Sequence, residues 1–67
     1  MIYIHDDALN TPAAYRADTP AEAWAQHAAR FADAGWSDRV RIGVSTDGEE
    51  PEEHTFRADG RGGWVDG

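Results

Sequence analysis

Five of the seven residues from Asp47 to Glu53 are carboxylates (Asp47, Glu49, Glu50, Glu52 and Glu53), and none of the seven is basic. A carboxylate run can act in three ways: as an acid–base pair, as a cation cage, or as a surface for a partner's Arg and Lys. Acid–base chemistry needs one carboxyl whose pKa is raised by an apolar or like-charged setting. Glu49-Glu50 and the second acidic pair, Asp6-Asp7, fall in expected turns, where water screens them. A calcium loop needs alternating ligands and a closing Glu, and Pro51 interrupts the segment instead. The remaining use is electrostatic. A concentrated negative field repels nucleic acid and attracts basic protein surfaces. Packing five like charges together also costs stability, which a merely solvated loop would not require. The expected partner-binding residues are therefore Asp47, Glu49, Glu50, Glu52 and Glu53, with Asp6 and Asp7 extending the same surface.

Other reactive side chains are scattered. Ser37 and Ser45 have no His nearby in sequence, and Ser37-Asp38 reads as a turn. There is no nucleophile elbow and no Gly-rich phosphate loop. His5, Asp6, Asp7 and His54 could converge on a zinc ion if the first and fourth strands were neighbours, but spacing alone does not select that arrangement. No metal or cofactor is expected. His27 falls at the edge of a helix's apolar face, as an ordinary boundary histidine. Trp36 and Trp64 could anchor a partner, although core positions are the expected ones in so small a domain. The row Arg39, Arg41 and Arg57 is expected to pair with carboxylates such as Asp38 and Asp59.

These side chains are carried by few elements. A helix is predicted over Pro20–Ala34, with Thr19 as N-cap, Pro20 in the first position and Glu22 completing a capping box. Gly35 is suited to end it. At 100° per residue Ala21, Trp24, Ala25, Ala28, Phe31 and Ala32 share the apolar face. Strands are predicted over Met1–His5, Arg39–Thr46 and His54–Asp59, with Trp64-Val65 as a further short one. Ala13–Ala17 suits either a strand or a helical turn. The fold class is α+β: one amphipathic helix on a small antiparallel sheet of three to five strands, in a single domain spanning residues 1–67. In that arrangement the acidic segment is a hairpin loop held out in solvent.

The chain has 67 residues, no Cys and a net charge of −7. Without disulfides or thiolate metal ligands, its stability must come from the aromatics: three Trp, two Phe and two Tyr. No apolar run approaches the ~20 residues of a membrane span, and no signal peptide is visible, so a soluble cytoplasmic protein is expected.

In length, acidity, lack of Cys, the capped Thr19-Pro20-Ala21-Glu22 helix and short strands closing on Gly62-Gly63-Trp64, the chain resembles the small acidic anti-CRISPR proteins of phages and mobile elements that act on type I systems. The resemblance covers the whole length in style and includes no diagnostic motif. It implies a non-enzymatic inhibitor, in several members a DNA mimic, that occupies a basic DNA-binding surface of a CRISPR effector complex without contacting nucleic acid itself. The alternatives are an antitoxin or immunity protein that masks a basic toxin, and a structural accessory subunit.

Overall fold

The computed structural model describes residues 1–47 and 49–67. Five strands form one antiparallel sheet: β1 (Ile2–His5), β2 (Ala13–Tyr15), β3 (Arg39–Thr46), β4 (Glu52–Ala58) and β5 (Trp64–Asp66), in the order β2-β1-β3-β4-β5. The helix α1 (Pro20–Arg30) links β2 to β3 and packs on one face. Because β2 and β3 are each antiparallel to β1, they run parallel to one another with β1 between them. This is the expected α+β architecture, and Ala13–Tyr15 resolves as an edge strand.

Alternation explains the core. Ile2 and Ile4 of β1, Ile42 and Val44 of β3, Phe56 of β4, and Ala13 and Tyr15 of β2 face the helix and are buried. Register matches them in rows: Ile2 lies opposite both Tyr15 and Thr46, Ile4 opposite Ala13 and Val44, and Val40 opposite Phe56. Trp24 is the keystone from the helix side. Its ring stacks on Phe56 at 5.5 Å and 5°, while Trp36 and Trp64 meet it edge-on at 5.1 and 5.4 Å. All three Trp thus serve the core, with Trp36 and Trp64 half-buried. Within the centre of the sheet Gly43 lets β1 approach closely, since a Cβ there would lie 3.2 Å from that of His5.

The helix starts as its residues require. Thr19 Oγ1 accepts from the Glu22 N–H at 3.2 Å, and the Glu22 carboxylate accepts from the Asp18 N–H at 3.0 Å, one residue before the usual partner in a capping box. Its end and its buried stripe depart from expectation. The helix ends at Arg30, its last α-helical bond running from the Phe31 N–H to the His27 carbonyl at 3.0 Å, and Ala32–Ala34 tighten into a 3₁₀ turn closed by Gly35 at φ 68°. The i→i+3 bonds from Ala34 and Gly35 satisfy carbonyls that the helix would otherwise leave open. The buried residues are Ala23, Trp24, His27 and Ala28, so the apolar stripe is turned toward His27 and Phe31 is only half-buried.

A second departure concerns the acidic segment. The β4 strand begins at Glu52, not His54, because Gly43 and Val44 pair with Glu53 and Glu52. Pro51 lacks an N–H and marks the strand's start. The connection between β3 and β4 is therefore residues 47–51, and Glu52 and Glu53 project to opposite faces of the sheet.

Candidate functional site

The β3–β4 connection and the first turn of β4 carry all five carboxylates, and every one is exposed. Most are engaged within the chain. Asp47 accepts from the Tyr3 hydroxyl at 2.6 Å and from the Met1 amino group at 3.2 Å, which fastens the connection to the start of β1. The Tyr3 hydroxyl, and then the amino group, hold the Asp47 carboxyl below its ordinary range, and the same contact pushes the Tyr3 phenol up. Glu49 accepts from the Thr46 hydroxyl at 2.6 Å. Glu53 is ion-paired to Arg41 across the open face of the sheet. Glu52 stands 4.0 Å from His54 on the helix side. Glu49, Glu50 and Glu52 share a groove of about 170 Å³ with Pro20, Val44 and His54. Carboxylates at the rim and apolar stems beneath them suit a long cationic side chain, which lays its methylenes on the floor and its charge against the carboxylates.

Asp6 and Asp7 lie elsewhere. They follow β1 at its far end, whereas the acidic connection adjoins the start of β1 through the Ile2–Thr46 pair. They border a separate pocket of about 390 Å³ with His5, Trp36, Arg41 and Glu53. Asp7 is exposed, while Asp6 turns inward and accepts from His27 Nε2 at 2.9 Å and the Ala8 N–H at 2.9 Å. Asp6 and Asp7 thus stand apart from the groove of Glu49, Glu50 and Glu52 but share a pocket with Glu53, and Asp6 is committed to His27.

The partner of Asp6 is the residue that sequence reasoning placed wrongly. His27 is fully buried, with its Nδ1 2.6 Å from the Tyr15 hydroxyl and its ring among Trp24, Phe31 and Trp36. An ionised Asp6 can only accept, so Nε2 carries the proton, and in the neutral ring Nδ1 accepts from Tyr15. Partial burial works against the Asp6 charge, but the His27 and Ala8 hydrogen bonds outweigh it and hold that carboxyl below its ordinary value. Asp6, His27 and Tyr15 form a chain like a catalytic relay, yet Tyr15 and His27 are both buried. Each polar atom is used to satisfy another, which makes the network a device for holding β1, β2 and α1 in register.

A second His contact also escaped the sequence. Pairing of β1 with β3 brings His5 Nε2 within 2.7 Å of Ser45 Oγ, although the two are forty residues apart. Among the described residues no carboxylate hydrogen-bonds the other nitrogen of His5, and the Ser45 backbone belongs to the central strand of the sheet. A catalytic nucleophile needs a base that a third group orients, and among the described residues no side chain hydrogen-bonds His5 from its other nitrogen. His5 and His54 cannot meet, since β3 separates their strands and they face opposite sides. Among the described residues no group of three or more His, Asp or Glu is placed to hold a metal ion.

No family model, curated protein or solved structure matches the chain. The assignment of a role therefore rests on its own side chains.

The arginines complete the surface. Arg41 is taken by Glu53, but Arg39 lies directly opposite Arg57 on the open face, and neither is ion-paired among the described residues. Arg41 thus finds a carboxylate as expected, but among the described residues neither Asp38 nor Asp59 pairs with the row. The Asp59 carboxylate instead accepts from the Arg61 and Gly63 N–H groups at 2.7 and 3.0 Å, closing its own turn. Among the described residues no helix is long and apolar enough to cross a membrane.

Proposed function

We propose that the chain is a non-enzymatic inhibitor that docks its acidic β3–β4 tip on a basic, nucleic-acid-binding protein surface, as a DNA mimic does. The type I CRISPR effector complexes blocked by the anti-CRISPR proteins it resembles are the first partners to test. The observation that carries this reading is the convergence of Glu49, Glu50 and Glu52 on one exposed groove with an apolar floor. Asp47 and Glu53 are engaged outside that groove, by Tyr3 and by Arg41 on the open face of the sheet. Complementary charge speeds association and makes it salt-sensitive, while seated side chains set the residence time.

The test is the triple reversal Glu49→Lys, Glu50→Lys and Glu52→Lys, which leaves Asp47 and Glu53 in place. Wild-type chain should bind a purified type I surveillance complex at low salt, release it as salt rises, and compete with its target DNA. The folded triple variant should do none of these. Equal competition by both proteins would refute docking through the tip. Capture of a basic toxin in place of the CRISPR complex would keep the surface and change the partner.

A further inference from the structure

The opposite end of the open sheet face has the reverse charge. Arg39 and Arg57 are exposed cross-strand partners. Like charges placed directly opposite destabilise a strand pair, and neither guanidinium is ion-paired among the described residues. Val65 continues the row on β5, opposite Arg57, and is 42% exposed. The acidic tip of the same molecule cannot neutralise the pair. Arg39 begins β3 and Thr46 ends it, a separation of roughly 23 Å at ~3.3 Å per residue.

Among the described residues no strand pairs with the outer side of β5. Asp59 N–H bonds to the Gly63 carbonyl and Gly67 N–H to the Thr55 carbonyl, so alternate residues of this ladder point inward. The main-chain groups of Trp64 and Asp66 then point outward, an open row of donors and acceptors. Two unpaired guanidiniums call for carboxylate or phosphate oxygens. An open edge calls for another polypeptide backbone. Only a peptide with acidic side chains meets both. A nucleic acid cannot complete the ladder, and its dense phosphates would also face the repulsion of a chain with net charge −7.

We infer that Arg39 and Arg57, together with the free edge of β5, form a docking site for an extended acidic segment of a partner protein. The segment adds as a sixth strand. Its carboxylates, on alternate residues, reach Arg57 across Val65 and attract Arg39, one strand further in, through the same field, and its backbone pairs with Trp64 and Asp66. This site is separate from the acidic tip, so the molecule has two docking surfaces of opposite charge.

Titration of the ¹⁵N-labelled chain with a hexaglutamate peptide at low salt tests the inference by NMR. The Trp64 and Asp66 amides and the Arg39 and Arg57 side-chain N–H signals should shift together and saturate. Replacing both arginines (Arg39→Gln with Arg57→Gln) should weaken binding by at least about tenfold, as expected for losing two charge-assisted contacts. Asp66→Pro removes an outward N–H at an edge position where proline is tolerated, together with the carboxylate that accepts from His54 at 2.9 Å, and should bind more weakly than Asp66→Asn, which loses the same charge but keeps the N–H. The triple tip reversal should bind the peptide at least as well as wild type, which separates failure here from failure of the tip. The inference is overturned if the peptide produces no shifts at millimolar concentration, or if Asp66→Pro binds as well as Asp66→Asn. A short single-stranded oligonucleotide shifting the same signals at lower concentration would also overturn it, as would the same shifts arising on concentrating the chain alone.

Discussion

The two ends of β1 each finish at a carboxylate, and the two have different roles. Asp47, beside the start of the strand, is exposed and accepts from Tyr3 and Met1. Asp6, just past its end, accepts from a histidine with no exposure at all. Both carboxyls are held below their ordinary pKa, by hydrogen bonds of similar length. What differs is the alternative open to each partner when the bond is broken. Water replaces Asp47 for an exposed phenol, but nothing replaces Asp6 for the ring of His27. A hydrogen bond therefore holds the fold together in proportion to the burial of the groups it would leave unpaired.

The largest effect should come from His27→Ala, which opens a cavity beside Trp24 and strips both Tyr15 and Asp6 of their partner. A loss of about 3 kcal/mol in urea unfolding is expected, and a loss below about 1 kcal/mol would mean that the network is not what holds this end. Asp6→Asn comes next, at about 1–3 kcal/mol near neutral pH. Its pH dependence has a definite sign. A folded-state pKa below the unfolded value near 3.8 makes the Asp6 contribution fully present above that value and lost as pH falls through the folded pKa. Wild type should thus lose its advantage over Asp6→Asn in acid, and a gap that stays constant from pH 5 to pH 2, a range of about three units around the carboxylate pKa, would contradict the assignment. Arg39→Glu should move stability the other way, gaining ~0.2–1 kcal/mol by turning a like-charge cross-strand pair with Arg57 into an attractive one. Thermal melts at low and high salt check this, since the gain should shrink as salt screens it. The smallest effect belongs to Asp47→Asn, whose melting midpoint should stay nearest wild type. A drop matching that of Asp6→Asn would remove the distinction between the two ends.

Much of the architecture was legible residue by residue. Thr19, Pro20 and Glu22 mark the helix start, and the alternation of Val40, Ile42 and Val44 marks the central strand over its observed span. The helix's buried stripe was misjudged because periodicity weighs Ala21, Ala25 and Ala32 equally with Ala23, and alanines give little angular preference. Contact with the sheet decided the rotation, and it carried His27 inside. The start of β4 was misjudged for a related reason. Glu52 and Glu53 have weak strand preference, and their place comes from the need of Gly43 and Val44 for ladder partners. Of the candidate surface, Glu49, Glu50 and Glu52 share one groove, while Asp6, Asp7 and Glu53 border another pocket. Charge counting locates residues along the chain but not around the fold.

By itself the sequence determined the charge, the positions of its helix and main strands, and the class of fold, since these follow from neighbours within a few residues. Tertiary structure alone decided which charges became structural and which stayed available. Asp6 meets His27, His5 meets Ser45, and Arg39 meets Arg57 only because strands distant in sequence pair in one register. Such pairings depend on which apolar faces bury each other best, and that is a property of the whole chain.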